Sequence, residues 1–347
     1  MSFRKKLFMF LLFLTFSSYV SIAQKTDTLI HINGNVMTGE IKKVTDGILY
    51  FKMDGMGTIP VEAEKIRTYK SRKLLQMRTK HGKLIFGSID TAEAFGYVKI
   101  GYGVNKEYVK VLEIIELFPI KSTFWKRVSG NFDFGLDYAK ATDMARINSS
   151  GNIDYRKPKL LSSIAWNSFI SAQENDQDSV IVNDKVDFAY NFKRLIKGRW
   201  LWVGNIGINS NSELGLNLRM YLGVNLQNDI VYTNNHHLFW QIGGILNREF
   251  PLEGDVINNS EALFSVSYNI YKYTRPEVTL TSNVSAYPNL KFNGRWRLDT
   301  SIDLKLELFY NFYIGGKVYT NYDSKPASEN AANTDWGFAV SIGYSFH

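Results

Sequence analysis

The C-terminal stretch Trp336-Gly337-Phe338-Ala339-Val340-Ser341-Ile342-Gly343-Tyr344-Ser345-Phe346 decides the reading of the chain. Every second residue is aromatic or branched and apolar, and only Gly, Ala and Ser lie between them. A strand sends successive side chains to opposite faces, so this segment has one broad apolar face and one small polar face. A soluble sheet would cover that apolar face with a second layer. The pattern recurs strand after strand, and no helical periodicity is present to supply a cover.

Upstream, Leu214, Leu216, Leu218, Met220, Leu222, Val224 and Leu226 alternate with Gly215, Asn217, Arg219, Tyr221, Gly223, Asn225 and Gln227. Phe132, Phe134, Leu136 and Tyr138 alternate with Asn131, Asp133, Gly135 and Asp137 in the same way. Segments of about ten residues with this period, separated by turn-formers, are the signature of a transmembrane β-barrel. The alternation predicts twelve strands, near 130–140, 150–157, 160–171, 179–194, 199–209, 213–227, 236–248, 261–273, 277–288, 295–308, 311–323 and 335–346. An even count puts both barrel ends on the periplasmic side. Lys157-Pro158-Lys159, Leu195 to Gly198 and Thr274 to Pro276 then read as short periplasmic turns. Gln173 to Asp178, Pro251 to Ser260 and Lys325 to Thr334 read as external loops.

Alternation also assigns the charges. Asp133, Asp137, Asp187, Arg219, Arg297, Asp299, Asp303, Lys305, Glu307 and Lys317 are expected to line the lumen. A Lys or Arg turned to the bilayer midplane would cost about 2–4 kcal/mol. Opposite signs on that wall are expected either to pair and close the bore or to line a path for small polar solutes.

The N-terminus carries Arg4, Lys5 and Lys6, an apolar run from Leu7 to Phe16, and the small residues of Ser21-Ile22-Ala23. That layout predicts a secretory signal peptide over 1–23, cleaved after Ala23, with an apolar core too short for a spanning helix. Trp336, Phe338, Tyr344 and Phe346 resemble the terminal signal that outer-membrane barrels present to the barrel-assembly machinery, with His347 as a departure. The absence of cysteine excludes disulfides and a lipid-modified N-terminus. A net charge of +8 on an exported chain points to outer-membrane lipid, lipopolysaccharide and acidic envelope polymers as partners, and not to nucleic acid.

Residues 25–119 contain a duplication. Asn33-Gly34 matches His81-Gly82, Gly39 matches Gly87, Ile41 matches Ile89 and Ile66 matches Ile114, each 48 residues apart. The turns and short strands suggest two small periplasmic SH3-like or Sm-like β repeats, over 25–72 and 73–119. Asn33-Gly34 predicts a two-residue type I′ turn. Residues 120–128 form a linker in which Phe124-Trp125-Lys126-Arg127 suits a membrane interface. The barrel occupies 129–347.

Over that span the chain resembles the salt-induced outer-membrane protein family, domain of unknown function 481. The likeness rests on Asn234 to Arg248, with His236-His237-Leu238 and a Gly-Gly pair. It continues in Asn321-Tyr322-Asp323-Ser324-Lys325-Pro326, Thr334-Asp335 and Gly343-Tyr344-Ser345-Phe346. The resemblance implies an outer-membrane β-barrel and no established chemistry.

Nothing in the chain carries a catalytic motif. Adjacent His236 and His237 point to opposite faces of a strand and cannot share a metal. No nucleophile elbow, phosphate loop or His-Glu-x-x-His pattern occurs, so no cofactor, metal or catalytic residue is expected. Three readings follow. The first is a structural or envelope-stress barrel with periplasmic modules that passes small polar solutes. The second is a binding module tethering the barrel to peptidoglycan or a periplasmic protein. The third, a lipid-acting enzyme, needs a Ser–His pair on the outer rim, and the histidines have no Ser partner at matching depth.

Overall fold

The computed structural model describes residues 27–103, 105–140, 144–174, 180–211, 216–251, 254–291, 294–309, 312–325 and 333–344. The signal segment, Phe346 and most of the loops expected at 173–178 and 325–334 lie outside these residues.

Nine strands come first: β1 (Asp27–His31), β2 (Val36–Thr45), β3 (Ile48–Met53), β4 (Gly57–Glu62), β5 (Ile66–Thr79), β6 (Leu84–Thr91), β7 (Tyr97–Tyr102), β8 (Asn105–Lys110) and β9 (Ile114–Pro119). The duplication reappears in their ladders. Leu29 pairs with Met37 and with Tyr69, and 48 residues later Met77 pairs with Ile85 and with Leu117. β5 therefore serves twice: its first half completes one copy and its second half begins the next. The two copies do not stand apart as separate repeats. They share one sheet and one core, in which Leu29, Ile41, Leu49 and Phe51 pack with Met77, Ile89, Val98 and Ile100. A lone copy of about 48 residues would bury little apolar surface, so joining two through a common strand lets each complete the other's core.

One turn departs from expectation. Only Gly34 has positive φ at Asn33-Gly34, where the Asn33 side chain instead accepts the Asn35 backbone N–H at 3.0 Å. Positive φ at both central residues occurs at Asp46-Gly47, which joins β2 to β3. Asp tolerates that conformation nearly as well as Asn, so composition alone did not choose between the two turns.

After a single helical turn, α1 (Phe124–Arg127), twelve strands follow in an antiparallel meander. They are β10 (Val128–Ala139), β11 (Met144–Lys157), β12 (Leu160–Glu174), β13 (Val180–Lys197), β14 (Trp200–Asn211) and β15 (Leu216–Tyr232), then β16 (His236–Pro251), β17 (Ile257–Lys272), β18 (Glu277–Pro288), β19 (Trp296–Phe309), β20 (Phe312–Asp323) and β21 (Thr334–Tyr344). β11 starts six residues before its expected position, and β16 and β17 take up half of the loop expected at 251–260, β16 ending at Pro251 and β17 starting at Ile257. Polar residues such as Asn258 and Asn259 read as loop, but a strand with one polar wall accommodates them. Lengths of 11 to 18 residues reach or exceed the 9–11 needed to cross a bilayer.

The sheet is not closed. Among the described residues no ladder joins β10 to β21, whereas the sequence reading expects a complete barrel. Alternation assigns faces within each strand but carries no information on the register between first and last, so closure is not dictated by pattern.

The polarity of this sheet is inverted relative to a soluble protein. Leu222, Val224, Leu246, Phe264 and Val266 on one face are exposed, while Asn225, Asp229, Glu249, Asn259 and Glu261 on the other are at most 3% exposed. No helix among the described residues is long and apolar enough to cross a membrane, which leaves strand-crossing open.

Candidate functional site on the polar face of the sheet

Following the ladders from β10 to β21 carries one face continuously around the sheet, and all ten charged residues expected on the lumen lie on it. Asp133 and Asp137 sit on β10, Asp187 on β13, Arg219 on β15, and Arg297, Asp299, Asp303, Lys305 and Glu307 on β19, with Lys317 on β20. Trp336 and Phe338 stand on the opposite face, exposed, with ring centroids 6.3 Å apart. The Tyr344 backbone pairs with Phe312 at the end of β21.

The pairing differs in part from the expected exchange among these ten. Lys317 meets Asp303 at 3.6 Å, with both side chains half exposed. Asp137 lies 3.9 Å from Arg146 of β11. The buried partners are others. Arg297 donates two hydrogen bonds to Glu261, at 3.1 and 2.7 Å, and Arg219 reaches Glu249 at 2.9 Å. Glu261 also accepts from the Asn247 amide at 3.1 Å. Both glutamates were missed because they lie at or beyond the strand limits expected from sequence. Once β16 and β17 lengthen, period two places them on the wall.

A second cluster sits where the N-terminal module meets the sheet. The turns at 157–159, 197–199, 233–235 and 273–275 all touch the module, which thereby spans this end of the curl from β11 to β18. The Lys159 backbone N–H donates to Gln76, the Arg199 side chain to the Lys80 carbonyl, Asn234 to the Leu112 carbonyl and Tyr273 to the Asp46 carbonyl. At Gly82 the approach is so close that an added Cβ would lie 2.8 Å from the Gly198 backbone. The left-handed φ there also favours glycine.

Arg78 of β5 projects from the module into the sheet. Its guanidinium donates to the Asp229 carboxylate at 2.8 Å and the Gly198 carbonyl at 3.1 Å, and lies 5.2 Å from the Tyr232 ring centroid. Asp229 is further held by Gln227 at 2.7 Å and by the His237 ring at 3.1 Å. The His237 ring stacks on Tyr232 at 4.1 Å, and the Tyr232 hydroxyl donates to Glu116 of β9 at 3.0 Å. Arg78 and Asp229 are almost wholly buried. Sequence reasoning assigned none of these six residues to a site, because an ion pair between residues 151 positions apart leaves no local signal. His236 points away from the cluster to the Tyr268 hydroxyl at 3.0 Å, as adjacent strand positions require.

These groups bind one another across the junction of module and sheet. Among the described residues no three His, Asp or Glu side chains converge as metal ligands would.

Fold and site together define a class: an all-β protein whose long meander exposes its apolar face and whose polar face is overlain at one end by a small β module. The family model described as "Protein of unknown function, DUF481" matches residues 128–346, and the chain belongs to that family. The match covers the twelve-stranded sheet and not the module. No curated protein and no solved structure matches the chain.

Proposed function

We propose that the chain is an outer-membrane β-barrel, completed in the bilayer by pairing of β10 with β21, that serves as a structural envelope component with a capped bore. The observation that carries this reading is the inverted polarity of the sheet. Phe338, Val340 and Ile342 are each about 70% exposed, while carboxylates and amides of the opposite face are buried. Water makes that distribution unfavourable and lipid makes it favourable. Among the described residues no ladder joins the outer edges of β10 and β21, and closure would bring those edges together, since an open edge is not tolerated in hydrocarbon. On this reading the module faces the periplasm, and the signal over 1–23 and the terminal aromatics serve export and insertion by the assembly machinery.

The proposal is non-enzymatic. Passage of small polar solutes is favoured by the half-exposed Asp303, Lys305 and Lys317 on the wall of β19 and β20, outside the packed Arg297–Glu261 region. Tethering to peptidoglycan or a periplasmic partner is favoured by exposed aromatic residues beside cations on the module, with Arg67 lying over Phe95 and Lys99 over Tyr108.

The test is fractionation and gel mobility of the full-length chain. Expected are recovery in outer membranes and a compact band that shifts on boiling. Recovery in the soluble periplasmic fraction, with no heat-dependent shift, would remove the barrel reading.

A further inference from the structure

A partly enclosed crevice of about 170 Å³ lies between the module and the foot of β10 to β12. Lys42, Lys43, Phe118, Lys121, Arg127 and Arg156 line it, and Asp154 is the sole carboxylate among the lining residues. Each element contributes for a local reason. A β-bulge in β2 between Ile41 and Lys43 breaks the alternation, so two consecutive lysines reach one cavity. β9 ends at Pro119 and the chain turns to deliver Lys121, while α1 supplies Arg127. Arg156 descends from β11 with its guanidinium 3.6 Å from the Phe118 ring centroid, a stacked pose that leaves its edge free for hydrogen bonding.

The positive charge there is only partly offset, by Asp154 in the lining and by Glu116 near Arg156. Lys42 is paired with Glu40. Among the described residues Lys43, Lys121, Arg127 and Arg156 form no ion pair with a carboxylate, and Arg127 spends its donors on the Lys121 and Ser122 carbonyls. Burial and the neighbouring Lys42 charge hold the Lys121 ammonium below the usual lysine range, despite the opposing pull of Glu40. A polyvalent oxyanion relieves this repulsion, and guanidinium with ammonium donors is the set that recognises one.

We propose that this crevice is a binding site for a phosphate group. Its source is either the headgroup of an anionic phospholipid or the free anion. Phe124 and Trp125, exposed on the adjoining helical turn, place a lipid-compatible surface beside it. The site rests on the crevice itself and not on insertion of the sheet, so it stands or falls separately from the membrane reading.

The test is calorimetric titration of the full-length protein in an uncharged maltoside detergent. One arm uses inorganic phosphate and another soluble short-chain phosphatidylglycerol, with short-chain phosphatidylcholine as the zwitterionic control. Saturable binding of at least one anion is expected, weakened about tenfold by Lys121→Gln or Lys43→Gln and tightened by Asp154→Asn. Lys272→Gln, on β17 and outside the crevice lining, should change nothing. Preference for phosphatidylglycerol over both other ligands assigns the lipid, and equal or tighter binding of inorganic phosphate assigns the free anion. Absence of saturable binding of either anion, or binding unchanged by both crevice variants, overturns the site.

Discussion

Leu222 and Asn217 lie on one strand, five residues apart, and period two assigns them to opposite faces. Leu222 is exposed on the apolar face, beside Ile206 and Leu246 in the ladder, while Asn217, which alternation groups with Arg219, is exposed at a β-bulge near the start of the strand. In lipid, Leu222→Arg places a guanidinium among acyl chains and should cost about 2–4 kcal/mol near the midplane, whereas Asn217→Arg should cost much less. Urea unfolding of both variants in lipid vesicles checks this, and equal losses would show that the facing is wrong. Such single-residue assignments are legible in the sequence, because period two is a property of the backbone. The partner of Arg297 was not legible. Asp299 lies nearer in sequence, but its side chain sits two positions along the same strand, whereas Glu261 projects from two strands away.

Among the elements, β5 does the most to organise the module, and its neighbours β6 to β8 carry a testable charge cluster. Asp90 of β6 accepts a hydrogen bond from Lys106 of β8 and lies 3.3 Å from Lys70 of β5. The Lys106 hydrogen bond, aided by Lys70 and opposed by burial, holds the Asp90 carboxyl below the usual range. A depressed carboxyl contributes stability that is present above its unfolded value, about 4, and is lost as pH falls through the folded value. Hydrogen exchange in β6 to β8 of the full-length protein should therefore accelerate as pH drops below about 4, after correction for intrinsic exchange. Asp90→Asn should flatten that acid limb, and an unchanged limb would assign it to other carboxylates. The existence of the strands and the 48-residue repeat were both visible in sequence. The sharing of β5 was not, since a strand that serves two copies reads locally like any other.

At the scale of the molecule, the module and the sheet are joined through Arg78. Arg78→Ala removes the guanidinium from Asp229 and leaves a carboxylate that is 1% exposed with only His237 and Gln227 beside it. Breaking a buried pair from one side costs about 3–5 kcal/mol, and the module's hold on the sheet should loosen accordingly. If the sheet closes as proposed, the wild type is expected to conduct little in planar bilayers, because the module overlies one end of the sheet, and Arg78→Ala should open steps of larger conductance. Identical traces for both proteins would mean that the module does not gate the bore. Asp229→Asn in the Arg78→Ala background should restore part of the lost stability, which separates an uncompensated charge from general misfolding.

Alternation, repeat spacing and turn chemistry are local properties, and from them the sequence by itself determined the all-β class, the twelve-strand meander, the facing of the strands whose alternation is clear and the duplicated module. Those follow because side-chain direction in a strand depends on position parity alone. The tertiary structure decided the rest: which acids meet Arg219 and Arg297, that Arg78 enters the sheet to meet Asp229, that two copies share a strand, and that no ladder joins β10 to β21 among the described residues. Each of these depends on how distant strands are brought together in space. Position parity cannot carry that information, because it is set one residue at a time.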